Sequence, residues 1–307
     1  LKVFVLPPGE NWICDRFVQE WYQYNSDIST SDPNEADIIW LLADWCWNQI
    51  PIHFLRKRVV VSVHHITPDK FGPPQIAEFL ERDRYADLYH VPCEKTAEQI
   101  RHLTHKPILV QPFWVNQQIW HENKLAGKAL RESLSIDPGI KLIGSFQRDT
   151  EGHDLKSPKL EKGPDIFCDV VEELVKHSNV EVLLGGWRRQ YVMNRLKTAG
   201  IKYHYLELPD FQTLNAMYNA LDLYIVGARW EGGPQAIVEC ACTKTPIIST
   251  DVGVASLILP DENIFDEKDI SLLLTNPVPN VEKPFESVQR LWIPRGFEWF
   301  RNMLQEM

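Results

Sequence analysis

Short runs of β-branched and apolar residues alternate with segments of helical periodicity, and the alternation begins afresh partway along the chain. That order is the mark of parallel sheets joined by crossover helices. In the first part VFVLP (3–7), ADIIWLL (36–42), RVVVSV (58–63) and ADLYHV (86–91) are expected strands, with helices over 15–23, 74–84 and 95–103. In the second part KLIGSF (141–146), VEVLLGG (180–186), DLYIVGA (222–228) and TPIIST (245–250) repeat the pattern, with helices over 163–176, 190–199, 212–220 and 234–242. At 307 residues the chain exceeds the usual size of a single core. The expectation is an α/β protein of two Rossmann-like, doubly wound parallel-sheet domains facing across a cleft. The join falls near residues 112–122, where proline, asparagine and glutamine interrupt the periodicity. This places a first domain over 1–115 and a second over 116–294, with the amphipathic closing segment 295–307 packed back on the first.

Charge and cysteine usage exclude several classes of function. A formal net charge of −10 argues against a protein that coats nucleic acid or an anionic membrane, since those surfaces attract basic faces. No run of eighteen apolar residues occurs, and the opening LKVFVLPP lacks the pattern of a cleaved leader, so a cytoplasmic protein is expected, with peripheral membrane contact left open. Cys14, Cys46, Cys93 and Cys168 are scattered, and Cys240 and Cys242 lack zinc spacing, so all six read as reduced thiols.

The densest chemical information lies in the run RWEGGPQAIVECACTKTPIIST. Glu231 stands in the loop after a strand, Gly232 and Gly233 let a ligand approach the backbone, and Pro234 suits a first helical turn. The backbone amides at that helix start, those of Gln235 and Ala236 included, suit a diphosphate. The helix is apolar nearly all round except for Glu239, whose carboxylate costs several kcal/mol to bury unless a partner or a ligand hydrogen-bonds it.

The stretch EGGPQAIVE followed by ECACTKTPIISTDVG resembles the EX7E signature of retaining glycosyltransferases of the GT-B fold, family 4. LLGGWRR, LPDFQTLNAMYNALDLYIVGA and KGPDIFCDVVEELVK resemble further family segments, so the likeness is strong in the second part and weak in the first. The resemblance implies that Glu231 contacts the transferred sugar and supports the transition state, while Glu239 holds the ribose. It also implies that Arg148 and Lys162 bind the diphosphate. Gly185, in the strand and glycine turn LLGGWRR, joins Gly232, Gly233 and Pro234 among the donor-binding positions. Here the chain departs from the pattern. The family arginine often follows the glycine directly, whereas Ser145 follows Gly144 and Arg148 lies three residues further on, and the loop DTEGHDLKSPKLE is longer than usual.

In the first part His64, followed by His65, ends a strand where family members keep a histidine beside the transferred sugar or acceptor, so His64 is a catalytic candidate. Gly9, in PPGEN, matches weakly the glycine loop near the donor phosphates. Arg188 and Arg189, after Gly185 and Gly186, read first as solvated helix-start arginines, with help in neutralising phosphate as the alternative. The tryptophans at 40, 45, 47, 114 and 120 are shared between core packing and stacking on an acceptor sugar.

The implied activity is transfer of a sugar from a nucleotide diphosphate donor to a glycan, lipid or other acceptor, with retention of configuration. No carboxylate nucleophile and no DXD-like metal site stands out, so front-face substitution without a metal or other cofactor is expected. The alternatives are a sugar nucleotide epimerase and a non-catalytic nucleotide-sugar or glycan-binding protein. A dehydrogenase is excluded because no GxGxxG opens a helix after the first strand.

Overall fold

The computed structural model describes residues 1–268, 270 and 278–307. The chain divides into one unit of Leu1–Trp114 with Ile293–Met307, and a second of Val115–Trp292.

The first unit is built on strands β1 (Val3–Val5), β2 (Ile38–Leu41), β3 (Arg58–Ser62), β4 (Leu88–Val91) and β5 (Ile108–Val110). Among the described residues they form a parallel sheet in the order β1-β2-β3-β4-β5. Every residue of β2 and β4 is buried, which is why these strands read as continuous apolar runs rather than alternating ones. Helices α1 (Ile13–Tyr24), α2 (Pro73–Asp83) and α3 (Glu94–Ile100) follow successive strands or loops. After α1 the chain returns along the free edge of β1, where Ser29 forms a parallel bridge to Val3. Only then does it cross to β2 on the other side. The strand order therefore reverses between β1 and β2, and the ends of those strands form a topological switch point.

The core of this unit holds Trp21, Trp40 and Trp114 with Phe297, Phe300, Met303 and Leu304 from the closing segment. The rings of Trp40 and Phe300 stack at 5.5 Å, so the helix Glu298–Glu306 completes the core. Within the same core Trp40 Nε1 donates to Ser62 Oγ at 2.9 Å, and Ser62 Oγ meets His90 Nδ1 at 2.9 Å. His90 Nε2 donates to the Gln111 carbonyl at 2.8 Å. Both ring nitrogens are thus satisfied with the imidazole neutral, and burial pushes its pKa down to about 3.

The second unit holds β6 (Lys141–Ser145), the two-residue strands β7 (Thr150–Glu151) and β8 (Ser157–Pro158), then β9 (Val180–Gly185), β10 (Tyr203–Leu206), β11 (Leu223–Val226), β12 (Ile247–Thr250) and β13 (Ile264–Phe265). Its main sheet is parallel in the order β10-β9-β6-β11-β12-β13, so the reversal falls between β6 and β11. The crossover helices are α4 (Lys124–Ser133), α5 (Pro164–Leu174), α6 (Gln190–Thr198), α7 (Phe211–Ala220), α8 (Gln235–Thr243) and α9 (Ala255–Ile258). Asp210 caps α7 by accepting from the Thr213 amide at 2.7 Å. Among the described residues no helix is long and apolar enough to cross a membrane.

Candidate donor site at the second switch point

A strand order that reverses between β6 and β11 leaves a crevice beyond their carboxyl ends, and the loops leaving those two strands carry Arg148 and Glu231. The chain returns from the β6 loop to open α5. Gly163 caps that helix in the left-handed region, at φ +60°, and Pro164 follows in its first turn. A Cβ on Gly163 would sit 1.7 Å from the Gly227 carbonyl oxygen, so glycine is required there by contact as well as by φ. This close approach of the α5 start to the end of β11 brings Lys162 to Glu231, and their side chains form an ion pair, both largely buried. The carbonyl of Lys162 accepts from Gln147 Nε2 at 2.7 Å, which ties the β6 loop to the same point.

Around the pair the loops are anchored from behind. The amides of Arg229 and Trp230 both donate to the Glu161 carbonyl, at 2.9 and 3.1 Å, and the Arg229 guanidinium is bidentate to Asp165 in the first turn of α5. Gly253, absent from the sequence reading as a site residue, holds φ +54°, and a Cβ there would lie 2.1 Å from the Gly232 carbonyl oxygen. It lets the loop after β12 close on the Gly232–Gly233 turn. The carbonyl of Gly233 accepts from Gln235 Nε2 at 3.2 Å, and Pro234 caps α8, one position ahead of the first helical turn expected for it.

Glu239 is buried in α8, and its Oε2 accepts from the buried Tyr218 hydroxyl at 2.8 Å. Burial, reinforced by the Glu239 carboxylate, raises the Tyr218 pKa well above its ordinary value, so the phenol stays a donor. The charge that the apolar helix could not carry unaided is met by a tyrosine from α7.

Arg148 is half-buried, donates Nε to the Thr150 carbonyl at 3.0 Å, and lies over the Trp187 ring at 5.3 Å. Arg189 corrects the expectation of a solvated arginine. It is buried, with Nε on Asp149 Oδ2 at 2.6 Å and Nη1 on the carbonyls of Ser145 and, at 2.6 Å, Gly185. Gly185 accordingly spends its carbonyl on that clamp and packs against Phe146 and Met217. Lys159, which the sequence did not single out, joins the cationic group. Burial first, then the like charges of Lys162 and Arg148, hold its ammonium below the ordinary lysine value.

Residues 155–278 match the family described as glycosyl transferases group 1. This stretch is a glycosyl transferases group 1 domain. The group 1 domain contains Lys162, Glu231, Glu239 and Gly253, and Arg148 lies just before its matched boundary. Over 134 residues the chain is 26% identical to the lipopolysaccharide core biosynthesis mannosyltransferase LpsB of Rhizobium meliloti (strain 1021). That match takes in 41% of this chain and 36% of the relative, so the chain matches little more than a third of the relative's length. Among solved structures, Anabaena Alr3699/HepE in complex with UDP and glucose is similar with a TM-score of 0.81 at 12% identity, over 100% of this chain and 99% of that one. Sucrose-phosphate synthase from Thermosynechococcus elongatus follows with a TM-score of 0.71 at 14% identity, over 95% and 77% of the two chains. The α/β architecture with Rossmann-like parallel sheets is that of the GT-B glycosyltransferases.

The first unit's candidates, Gly9 and His64, lie near its own switch point. Gly9, at φ +72°, donates its amide to Asp15 Oδ1 at 2.9 Å, and the Glu10 amide donates to Asp15 Oδ2 at 2.8 Å. A carboxylate of the chain fills this anion nest, and Gly9 shapes a capped turn at the start of α1. His64 is half-buried, donates Nε2 to the Leu42 carbonyl at 2.9 Å and stacks on Phe113 at 5.2 Å. That nitrogen is therefore the protonated one, and the bond fixes the ring against the backbone. Of the five tryptophans weighed for stacking, Trp40, Trp47, Trp114 and Trp120 are buried, whereas Trp45 is exposed beside His64 with Nε1 on Glu10 at 3.0 Å. All six cysteines are buried free thiols.

Proposed function

We propose that this protein is a retaining glycosyltransferase of family 4 that transfers a sugar from a nucleotide diphosphate donor. The observation that carries this reading is the Lys162–Glu231 pair at the β6/β11 switch point of a group 1 domain, with Arg148 on the adjoining loop. A cation for the leaving group and a carboxylate for the sugar meet at the place where open parallel sheets bind nucleotides. Donor binding draws Lys162 and Arg148 to the diphosphate, where they offset the charge that develops as it departs. Glu231 is then released toward the sugar hydroxyls, and Glu239, braced by Tyr218, receives the ribose.

In the reaction the bond from the anomeric carbon to the diphosphate oxygen breaks and the acceptor oxygen bonds to the same face of that carbon. The acceptor proton passes to the departing diphosphate, and configuration is retained. Side chains and backbone amides carry the electrostatic load in this reading, with no metal ion. The first unit receives the acceptor, a carbohydrate or lipid-linked hydroxyl, against Trp45 and His64, with His64 holding the ring geometry.

A thermal-shift panel of UDP-, GDP-, ADP- and dTDP-sugars tests the reading, with UDP-glucose and a nucleotide-linked mannose at its head. A ligand at one hundred times its dissociation constant stabilises the native state by about 2.7 kcal/mol. A shift with one nucleotide series, followed by slow hydrolysis of that donor, is expected. If no member of the panel raises the melting temperature, the donor-site reading is wrong.

A further inference from the structure

The loop from Arg148 to Lys162, where this chain leaves the family pattern, folds into a small antiparallel hairpin. Its strands pair Thr150 with Pro158 and Glu151 with Ser157, and Gly152 turns at φ +75°. The hairpin closes on itself at its base, where the Lys159 amide donates to the Asp149 carbonyl at 2.8 Å. That base is fixed to the sheet. The amides of Asp149 and Thr150 both donate to the Arg188 carbonyl, at 3.2 and 3.1 Å, and the buried Asp149 carboxylate holds the Arg189 guanidinium at 2.6 Å. The insertion thus returns the chain beside its starting point, and what it brings there is one more lysine.

Resting on the donor-site reading above, we infer that Lys159 is a third cation of the diphosphate site, delivered by the inserted hairpin. Its Nζ lies 3.7 Å from Glu161 Oε1, an ion pair too long to be a hydrogen bond. Its Lys162 neighbour is paired with Glu231. Among the described residues, the charged groups that act most strongly on Lys159 are Lys162, Glu161, Arg148 and Glu231, which with Lys159 make three cations and two carboxylates. Within this group of five the excess is positive, and a diphosphate would supply the balancing negative charge. Mutual repulsion of the cations, added to burial, lowers the Lys159 pKa and is relieved when an anion enters.

The test is calorimetric titration of the intact chain with UDP and with inorganic pyrophosphate, which needs no knowledge of the base. Wild type, Lys159→Ala, Lys159→Arg and Lys162→Ala are compared, each first shown to melt as wild type does. Lys159→Ala should weaken both probes about tenfold, the scale of one charge-assisted contact, and Lys159→Arg should restore most of the loss. Wild-type affinity should also fall at a lower pH than that of Lys159→Arg, because the arginine keeps its charge. If Lys159→Ala binds both probes within twofold of wild type while Lys162→Ala loses tenfold, the third cation is refuted and the donor site stands. If the wild type binds neither probe, nor any nucleotide of the panel, the donor site itself is refuted and this inference with it.

Discussion

The two units reverse their strand order in the same way but fill the resulting crevice with opposite charge. At the β1/β2 reversal the chain carries Glu10 and Asp44 beside Trp45 and Asp15 in the first turn of α1, and the amides that would grip an anion hold Asp15. At the β6/β11 reversal they carry Arg148, Lys159 and Lys162, and the helix opens on a left-handed glycine pressed against the neighbouring strand. Topology provides two equivalent crevices. What the chain places at the start of the following helix distinguishes the two, and on the proposed reading it selects the second for a phosphate.

The largest expected effect separates the two glycine turns. Gly163→Ala puts a methyl group into the Gly227 carbonyl and demands a left-handed alanine, so it should cost about 3 kcal/mol or more in urea unfolding of the full chain. Gly9→Ala faces open space at a similar φ and should cost only about 1 kcal/mol. Equal losses would remove the close approach from the account. Next in size, Tyr218→Phe removes a buried donor from Glu239 and should destabilise the second unit by about 1.5–3 kcal/mol, the range for hydrogen bonds to charged groups. A loss under about 0.5 kcal/mol would mean that another group satisfies that carboxylate.

The first unit should respond to acid in a way the second does not. His90 is held neutral with a pKa near 3, while the unfolded chain takes up that proton near 6.5. Between those values the unfolded state binds more protons, so stability falls as pH drops below about 6.5, by about 2 kcal/mol at pH 5. Urea midpoints followed by tryptophan emission from pH 7.5 to 5 check this. His90→Gln should flatten the slope, and an unchanged slope would assign the acid sensitivity elsewhere.

Strands buried on both faces were plain in the sequence where β2 (IIWL), β3 (RVVVS) and β11 (LYIV) are dominated by Ile, Val and Leu. Edge strand β10, YHYL, is half-buried with a histidine inside it and carries no such run. Helix α4 was equally silent. It is charged, and Gly127 interrupts it because a Cβ there would lie 2.3 Å from the Asn219 carbonyl oxygen. Within the candidate site, the sequence singles out Lys162, Glu231 and Glu239 because they stand beside a glycine turn and a helix start at fixed spacing. Arg189 is not among them, since its partner Asp149 lies forty positions earlier and only the fold joins them. Lys159 was hidden for the same reason. Its place depends on a hairpin whose closure no local pattern announces.

The split of roles within the Lys162–Glu231 pair is the centre of the account, and one titration bears on it most directly. The nucleoside diphosphate of the donor that gives the largest thermal shift is titrated into wild type, Lys162→Ala and Glu231→Gln, and turnover of that donor is followed alongside. The account predicts that Lys162→Ala weakens binding about tenfold or more, by losing a charge-assisted contact to the diphosphate. It predicts that Glu231→Gln binds as tightly as wild type or tighter, because Lys162 is set free, while turnover falls about a hundredfold or more through loss of a transition-state contact. Full affinity in Lys162→Ala together with lost affinity in Glu231→Gln would contradict it.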